Sequence, residues 1–237
     1  MNNIKAILIK QVKDTMKNKT IFIQFIMFPI FTLIMSNSIK IQEMPENFFV
    51  NLFATMYIGM APLTSMAAII SEEKEKNTLR VLMMSNVKPG EYLLGIGIYV
   101  WFVCIIGAAI ICAVGKYSIP ERLSFMGIMA VGILISLLIG AAIGTCSTTQ
   151  MMATSITLPV MMIFAFLPML SLFNETIAKI AKFSYSEQIR LMLAQINNLA
   201  IGMETVCIMA VNIVLCLVCF TIAYKKCGYA SVTTPGN

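Results

Sequence analysis

Read from the N-terminus, the chain alternates long apolar runs with short charged ones. Uncharged stretches extend from Thr20 to Ile39, from Asn47 to Ser71 and from Tyr92 to Gly115. Each is long enough for one crossing, since a helix needs about 20 mostly apolar residues to traverse the hydrocarbon core. From Leu123 to Asn174 there is no charge for 52 residues. At about 1.5 Å per residue that is about 78 Å of helix, more than tilting can absorb in a single crossing. The polar patch Thr145-Cys146-Ser147-Thr148-Thr149-Gln150 supplies the turn, and a last apolar run covers Thr205 to Tyr224. The pattern predicts an all-α integral membrane protein with six transmembrane helices, at about 20–39, 48–70, 92–115, 124–145, 151–173 and 205–224. No repeat or linker divides the chain, so 1–237 is expected to be a single domain.

The segments between the spans are patterned as well. In 1–19, Ile4, Ile7, Leu8, Val12 and Met16 recur at helical spacing while Lys5, Lys10, Lys13 and Lys17 take other positions. An N-terminal interfacial helix fits, its apolar stripe in the headgroup layer and its lysines on anionic lipid; a solvated basic tail is the plainer alternative. The small-x-small site Ser36-Asn37-Ser38 also suits a cleaved leader, but what precedes it is too long and too patterned for that. The most charged stretch, Glu72 to Glu91, reads as a short amphipathic helix over about 72–86. Glu72, Glu73 and Glu75 crowd its start, where the helix dipole favours negative charge, and Leu79, Leu82 and Met83 form one apolar face. Pro89-Gly90 then turns the chain. An apolar stripe implies a partner surface, either the membrane face or another protein. Asn174 to Met203, between spans five and six, sets Ile177, Ile180, Ala181, Ile189, Leu193 and Ile196 among polar residues.

Composition sharpens the picture. Hydrophobic residues make up 59% of the 237 and charged ones 12%, about half the charged share of a soluble domain. The spans leave no room for a soluble catalytic domain of about 100 residues or more. Histidine is absent and Asp14 is the only aspartate, which removes imidazole-activated nucleophiles, His-containing zinc sites and paired intramembrane aspartates. The seven cysteines read as small apolar residues, the Cys216–Cys219 spacing included; no metal site is expected. With the N-terminus inside, the inner segments carry eleven Lys and Arg against six outside, which places both termini in the cytoplasm. No charge falls at mid-membrane, arguing against a proton- or sodium-coupled carrier. Gly132, Ser136, Gly140 and Gly144 form a small-x-x-x-small ridge on span four for close helix packing, against a helix of this chain or of a second subunit. Pro29, Pro62, Pro159 and Pro168 kink spans one, two and five, either beside moving parts or as static bends.

In the inner loop, Glu72, Glu73 and Glu75, Thr78-Leu79, Leu82, Ser85, Val87 and Leu94-Gly95 resemble the loop after span two in the ABC type-2 permease family, the membrane subunits of bacterial ABC exporters. Two positions depart: Asn77 stands where Gly is usual and Asn86 where Pro is common. Asn tolerates left-handed backbone, so the first change is mild. The likeness extends to the basic helix before span one, the six spans and Phe183 to Arg190, which is similar to an aromatic-then-Arg stretch in a segment that the family folds into extracellular re-entrant helices.

The resemblance implies that 72–86 is a cytoplasmic coupling helix seated in a groove of a separate ABC ATPase subunit. Its contacts would be Glu72, Glu73, Glu75, Thr78, Leu79, Leu82, Met83 and Ser85. The chain has no phosphate loop, since Gly115-Lys116 lacks both the upstream Gly and a following Ser or Thr. ATP and magnesium would therefore belong to the partner chain, with no cofactor in this one. The expected protein is a permease in the bacterial plasma membrane that forms the pathway with a second copy or a similar permease. It performs no covalent chemistry and has no nucleic-acid partner, and its cargo is unassigned among drugs, antimicrobial peptides and lipid-like molecules. Two other readings fit the residues: a non-ABC carrier or substrate-capture subunit, and a non-transport immunity or scaffold protein.

Overall fold

A computed structural model of the chain describes residues 2–39, 45–85, 87–196 and 202–228. Among the described residues the protein is helical and has no strand: α1 (Asn2–Lys17), α2 (Lys19–Ser38), α3 (Phe48–Glu75), α4 (Thr78–Met84), α5 (Pro89–Val114), α6 (Ile119–Cys146), α7 (Gln150–Leu170), α8 (Glu175–Ala181), α9 (Tyr185–Ala194) and α10 (Met203–Ala223), with a π-helical turn at Tyr224–Gly228. Six helices, α2, α3, α5, α6, α7 and α10, are long and apolar enough to cross a bilayer. Helices are one of the few ways a chain can satisfy all of its backbone polar groups inside lipid. The outer faces agree with that solvent. Phe102, Ile163 and Val211 are 59%, 57% and 62% exposed, an apolar surface that water would penalise and acyl chains accept.

The core is built around α3, which packs on α2, α5, α6, α7 and α9. Its crossings with α6 and α7 are close because small residues meet backbone. A Cβ on Gly140 would collide with the Leu63 carbonyl, and one on Gly144 would stand 2.9 Å from Ile70 Cβ. Ser136 Oγ donates to the Ile58 carbonyl at 2.7 Å, and a Cβ on Gly59 would lie 2.7 Å from the Ala165 nitrogen. The Gly132, Ser136, Gly140 and Gly144 ridge thus faces α3 of the same chain, with Ile189 of α9 closing over Gly132.

The long uncharged stretch folds back. Helix α6 ends at Cys146 and α7 starts at Gln150, where Thr149 accepts the Met152 N–H. Between spans five and six, Asn174 caps α8, and α9 inserts its Tyr185–Ile189 stretch into the bundle, each of those residues being buried.

Three expectations need correction. The helix predicted over 72–86 does not exist as one element. Helix α3 runs on through Glu75, the chain breaks at Lys76-Asn77, and α4 begins only at Thr78. The break is local: Asn77 has φ 55°, a left-handed conformation open to Asn but strained for most side chains. The acidic residues therefore sit at the C-terminal end of α3, and α4 has none in its first turn. Second, α1 buries Ile7, Gln11 and Thr15 while Val12 is 51% exposed, because the face spaced at four residues packs on α5 and α2. Third, Lys10 is held by Glu73 of the protein at 2.6 Å rather than by lipid. Of the other expectations, Asn86 and the tails at 40–44, 197–201 and 229–237 lie outside the described residues, as do the side chains of Ile4, Met16, Lys17 and Met83.

Candidate functional site

The run Glu72-Glu73-Lys74-Glu75-Lys76 forms a hub at the end of α3, and its first four members each hold a different neighbour. Glu73, 6% exposed, accepts from Lys10 Nζ at 2.6 Å and from Gln11 Nε2, both on α1. Glu72 accepts from Asn18 Nδ2 at 2.9 Å, at the α1–α2 junction, and from Lys76. Lys74 reaches the other way and donates to the carbonyls of Thr145 and Ser147 at the end of α6. Glu75 accepts the Gln150 N–H at 2.7 Å, the first residue of α7. A cation thus meets the negative end of one helix and a carboxylate the positive end of the next, both favourable senses of the helix dipole. Glu72 also holds the Lys76 ammonium above the usual lysine range, chiefly by hydrogen bonding.

Two further groups complete the arrangement. The Tyr92 hydroxyl on α5 has the Glu73 carboxylate as its electrostatic neighbour, and neither it nor Glu73 Oε2 has a hydrogen-bond partner among the described residues. Thr78 Oγ1 donates to the Glu73 carbonyl at 3.1 Å, tying the first residue of α4 back across the Asn77 hinge. Between α1 and α3 lies a cleft of about 660 Å³ lined by Lys10, Asp14, Glu72, Glu73, Lys76 and Thr78, among others.

Helix α4 stands on this hub with two faces. Leu79 and Leu82 are half-buried and pack against the protein's own core. Val81 and Met84 are 62% and 81% exposed, and Arg80 and Ser85 are exposed beside them. The sequence-predicted set therefore divides. Glu72, Glu73, Glu75 and Thr78 are brought together inside the hub, Leu79 and Leu82 turn inward, and Ser85 faces out. Sequence reasoning passed over Gln11, Asn18, Lys74 and Val81 and assigned Lys10 to lipid. Gln11 carried a usable signal, since it is a polar residue four from Ile7 and four from Thr15, in a register that proves buried.

The opposite end of the bundle has its own polar cluster. Glu187, buried on α9, is paired with Arg190 at 2.5 and 3.0 Å and accepts from Ser171 Oγ at 2.9 Å. The Tyr185 hydroxyl lies 2.8 Å from Ser136 Oγ, with its ring 4.8 Å from that of Phe164; burial raises this phenol well above its ordinary range.

Among the described residues no three His, Cys, Asp or Glu converge for a metal. What the hub does show is a set of bonds from one end of α3 to α1, α6 and α7. Residues 1–225 match the profile of a family described as ABC-2 family transporter protein. No curated protein matches the chain.

Proposed function

The chain belongs to the ABC-2 family of transporter proteins, and from that premise we propose that it is the permease of an ATP-driven exporter, with α4 as the element that receives work from a separate ATPase subunit. It is a multi-pass membrane transport subunit rather than an enzyme. In this reading the hub end faces the cytoplasm, two permeases form the pathway between them, and ATP with its magnesium is bound by the partner chains. The inner side carries more lysine and arginine, in keeping with the positive-inside rule.

The observation that carries the reading is the form of α4. It is seven residues long, joined to α3 through the left-handed Asn77, and presents Arg80, Val81 and Met84 outward while its leucines hold it to the bundle. Met and Arg beside an apolar neighbour is the composition that the core of a protein interface favours, with Lys and Glu depleted. A push on α4 would pass through Thr78 into the end of α3. From there Glu73 leads to α1, Lys74 to α6 and Glu75 to α7. The apolar and weakly polar membrane faces suit an amphipathic or lipid-like cargo.

The test is purification in mild detergent from cells that also express an ABC ATPase encoded beside the permease. The expected result is co-elution, lost in Val81→Asp/Met84→Asp while the permease remains inserted and monodisperse. Co-elution unaffected by that double change would remove α4 from the interface.

A further inference from the structure

Helices α5 and α10 both pack along α6 and hardly touch one another. Between them lies a groove of about 720 Å³, lined among others by Leu94, Ile98, Trp101, Leu134, Leu217 and Phe220. Almost every lining group is apolar, and the Trp101 indole N–H is already satisfied by the Ala130 carbonyl at 3.3 Å. The groove extends from Gly90 to Trp101 on α5, from Val131 to Ala141 on α6 and from Ile213 to Tyr224 on α10. At about 1.5 Å per residue, each helix contributes about 15–17 Å. That is half of the roughly 30 Å hydrocarbon core, so the groove has the depth of one leaflet. It starts at the end of the bundle that carries the hub and stops near mid-membrane.

Its mouth is basic. Lys88 is exposed two residues before Gly90, and Lys225 and Lys226 are exposed immediately after Tyr224. The Glu91 carboxylate on the same turn accepts the Lys88 backbone N–H at 3.2 Å. Near Gly90 and Gly97 an added Cβ would meet almost nothing, the nearest atom being Met66 Cε at 4.0 Å from the latter. These positions keep the floor open.

We propose that this groove is a binding site for an anionic glycerophospholipid of the leaflet at the hub end, its acyl chain lying along α6 and its phosphate between Lys88 and Lys225-Lys226. A chain that reaches from headgroup to mid-bilayer matches the groove in length, and an anionic headgroup matches the charge at its mouth. A second protein copy would bring helices that continue past mid-membrane, which the groove does not.

The test uses the purified permease, relipidated with equimolar phosphatidylglycerol and phosphatidylcholine and read by native mass spectrometry. The wild type is expected to retain phosphatidylglycerol preferentially. Lys225→Gln/Lys226→Gln should lower that preference about 30-fold, from two lysines near an anionic surface, with phosphatidylcholine, whose phosphate is offset by its own choline, losing much less. Gly97→Leu, which fills the floor, should lower retention of both lipids; if it does not fold, Leu134→Trp reads the same volume. Equal retention of the two lipids by the wild type would overturn the proposal, as would undiminished retention in a folded groove-filling variant. Disulfide crosslinking of Leu94→Cys to a second copy in membranes would give the groove to a subunit instead. None of these outcomes depends on the ATPase, so the proposal stands or falls apart from the transport reading.

Discussion

Each end of the bundle buries a carboxylate beside a cation, but the two pairs are wired differently. At the hub, Glu73 and Lys10 are 63 residues apart and belong to different helices. At the far end, Glu187 and Arg190 are three apart on one turn of α9, and the buried links to other helices are made by the neutral hydroxyls of Ser171, Tyr185 and Ser136, the one ion pair between helices there among the described residues, Lys182–Glu204, being exposed. Ionic bonds between helices make one helix answer to the displacement of another. An ion pair within one helix only neutralises itself, which allows α9 to be buried as a plug. The hub therefore joins separate helices through buried charge, whereas the α9 end neutralises its buried charge within one helix.

The largest expected effect comes from breaking the plug. Glu187→Leu leaves Arg190, whose side chain is 16% exposed, without its partner in a buried site, and removal of one member of such a pair costs about 3–5 kcal/mol. Thermal unfolding in detergent should show a marked drop, with hydrogen exchange rising in α9 and little change in α1. Glu73→Leu should cost less, about 2–3 kcal/mol, because Lys10 at 31% exposure can turn to water. Its exchange signature should be broad, reaching α1 and the α6–α7 turn. If that variant loosens α1 alone, the hub does not act as a unit.

A charge swap sharpens the contrast. Lys10→Glu and Glu73→Lys should each destabilise, while the double variant recovers part of the loss; a coupling of about 1 kcal/mol or more in a double-mutant cycle would mark a direct link. The smallest effect belongs to Lys76→Ala, an i,i+4 pair with Glu72 worth about 0.3–0.5 kcal/mol. Because the folded-state value of Lys76 is raised, its contribution is complete below the ordinary lysine range and disappears as pH climbs through the raised value. The variant and wild type should therefore converge in stability only at strongly alkaline pH.

The spans were legible in the sequence because the cost of charge in hydrocarbon leaves its mark on every residue of a crossing. The fold-back at Thr145–Gln150 was legible for the same reason, through length alone. The hub was not. Nothing near Glu73 in the chain announces Lys10 and Gln11, and nothing near Lys74 announces the end of α6, so a run of alternating charge reads as the first turn of a short amphipathic helix. The dipole argument was sound but attached to the wrong elements: the end of α6 attracts Lys74 and the start of α7 attracts Glu75, whereas α4 has no acidic first turn. Asn77 was the local clue, a residue that accepts left-handed backbone at the point where α3 ends. The Leu79, Leu82 stripe identified an apolar face correctly, but periodicity does not say which surface a face meets, and here it meets the bundle. Likewise the spacing of Gly132, Ser136, Gly140 and Gly144 announces a close approach and leaves the approaching helix unnamed.

In the proposed reading α4 receives work through its outward face and delivers it through the hub. The most direct measurement of this is ATPase binding by permease variants purified from the same membranes. Val81→Asp/Met84→Asp should lose the ATPase chain, and Glu73→Leu should keep it while the change in exchange at α1, α6 and α7 on adding ATP disappears. Retention of the ATPase by the α4 variant, or an ATP response in Glu73→Leu equal to that of the wild type, would contradict the account.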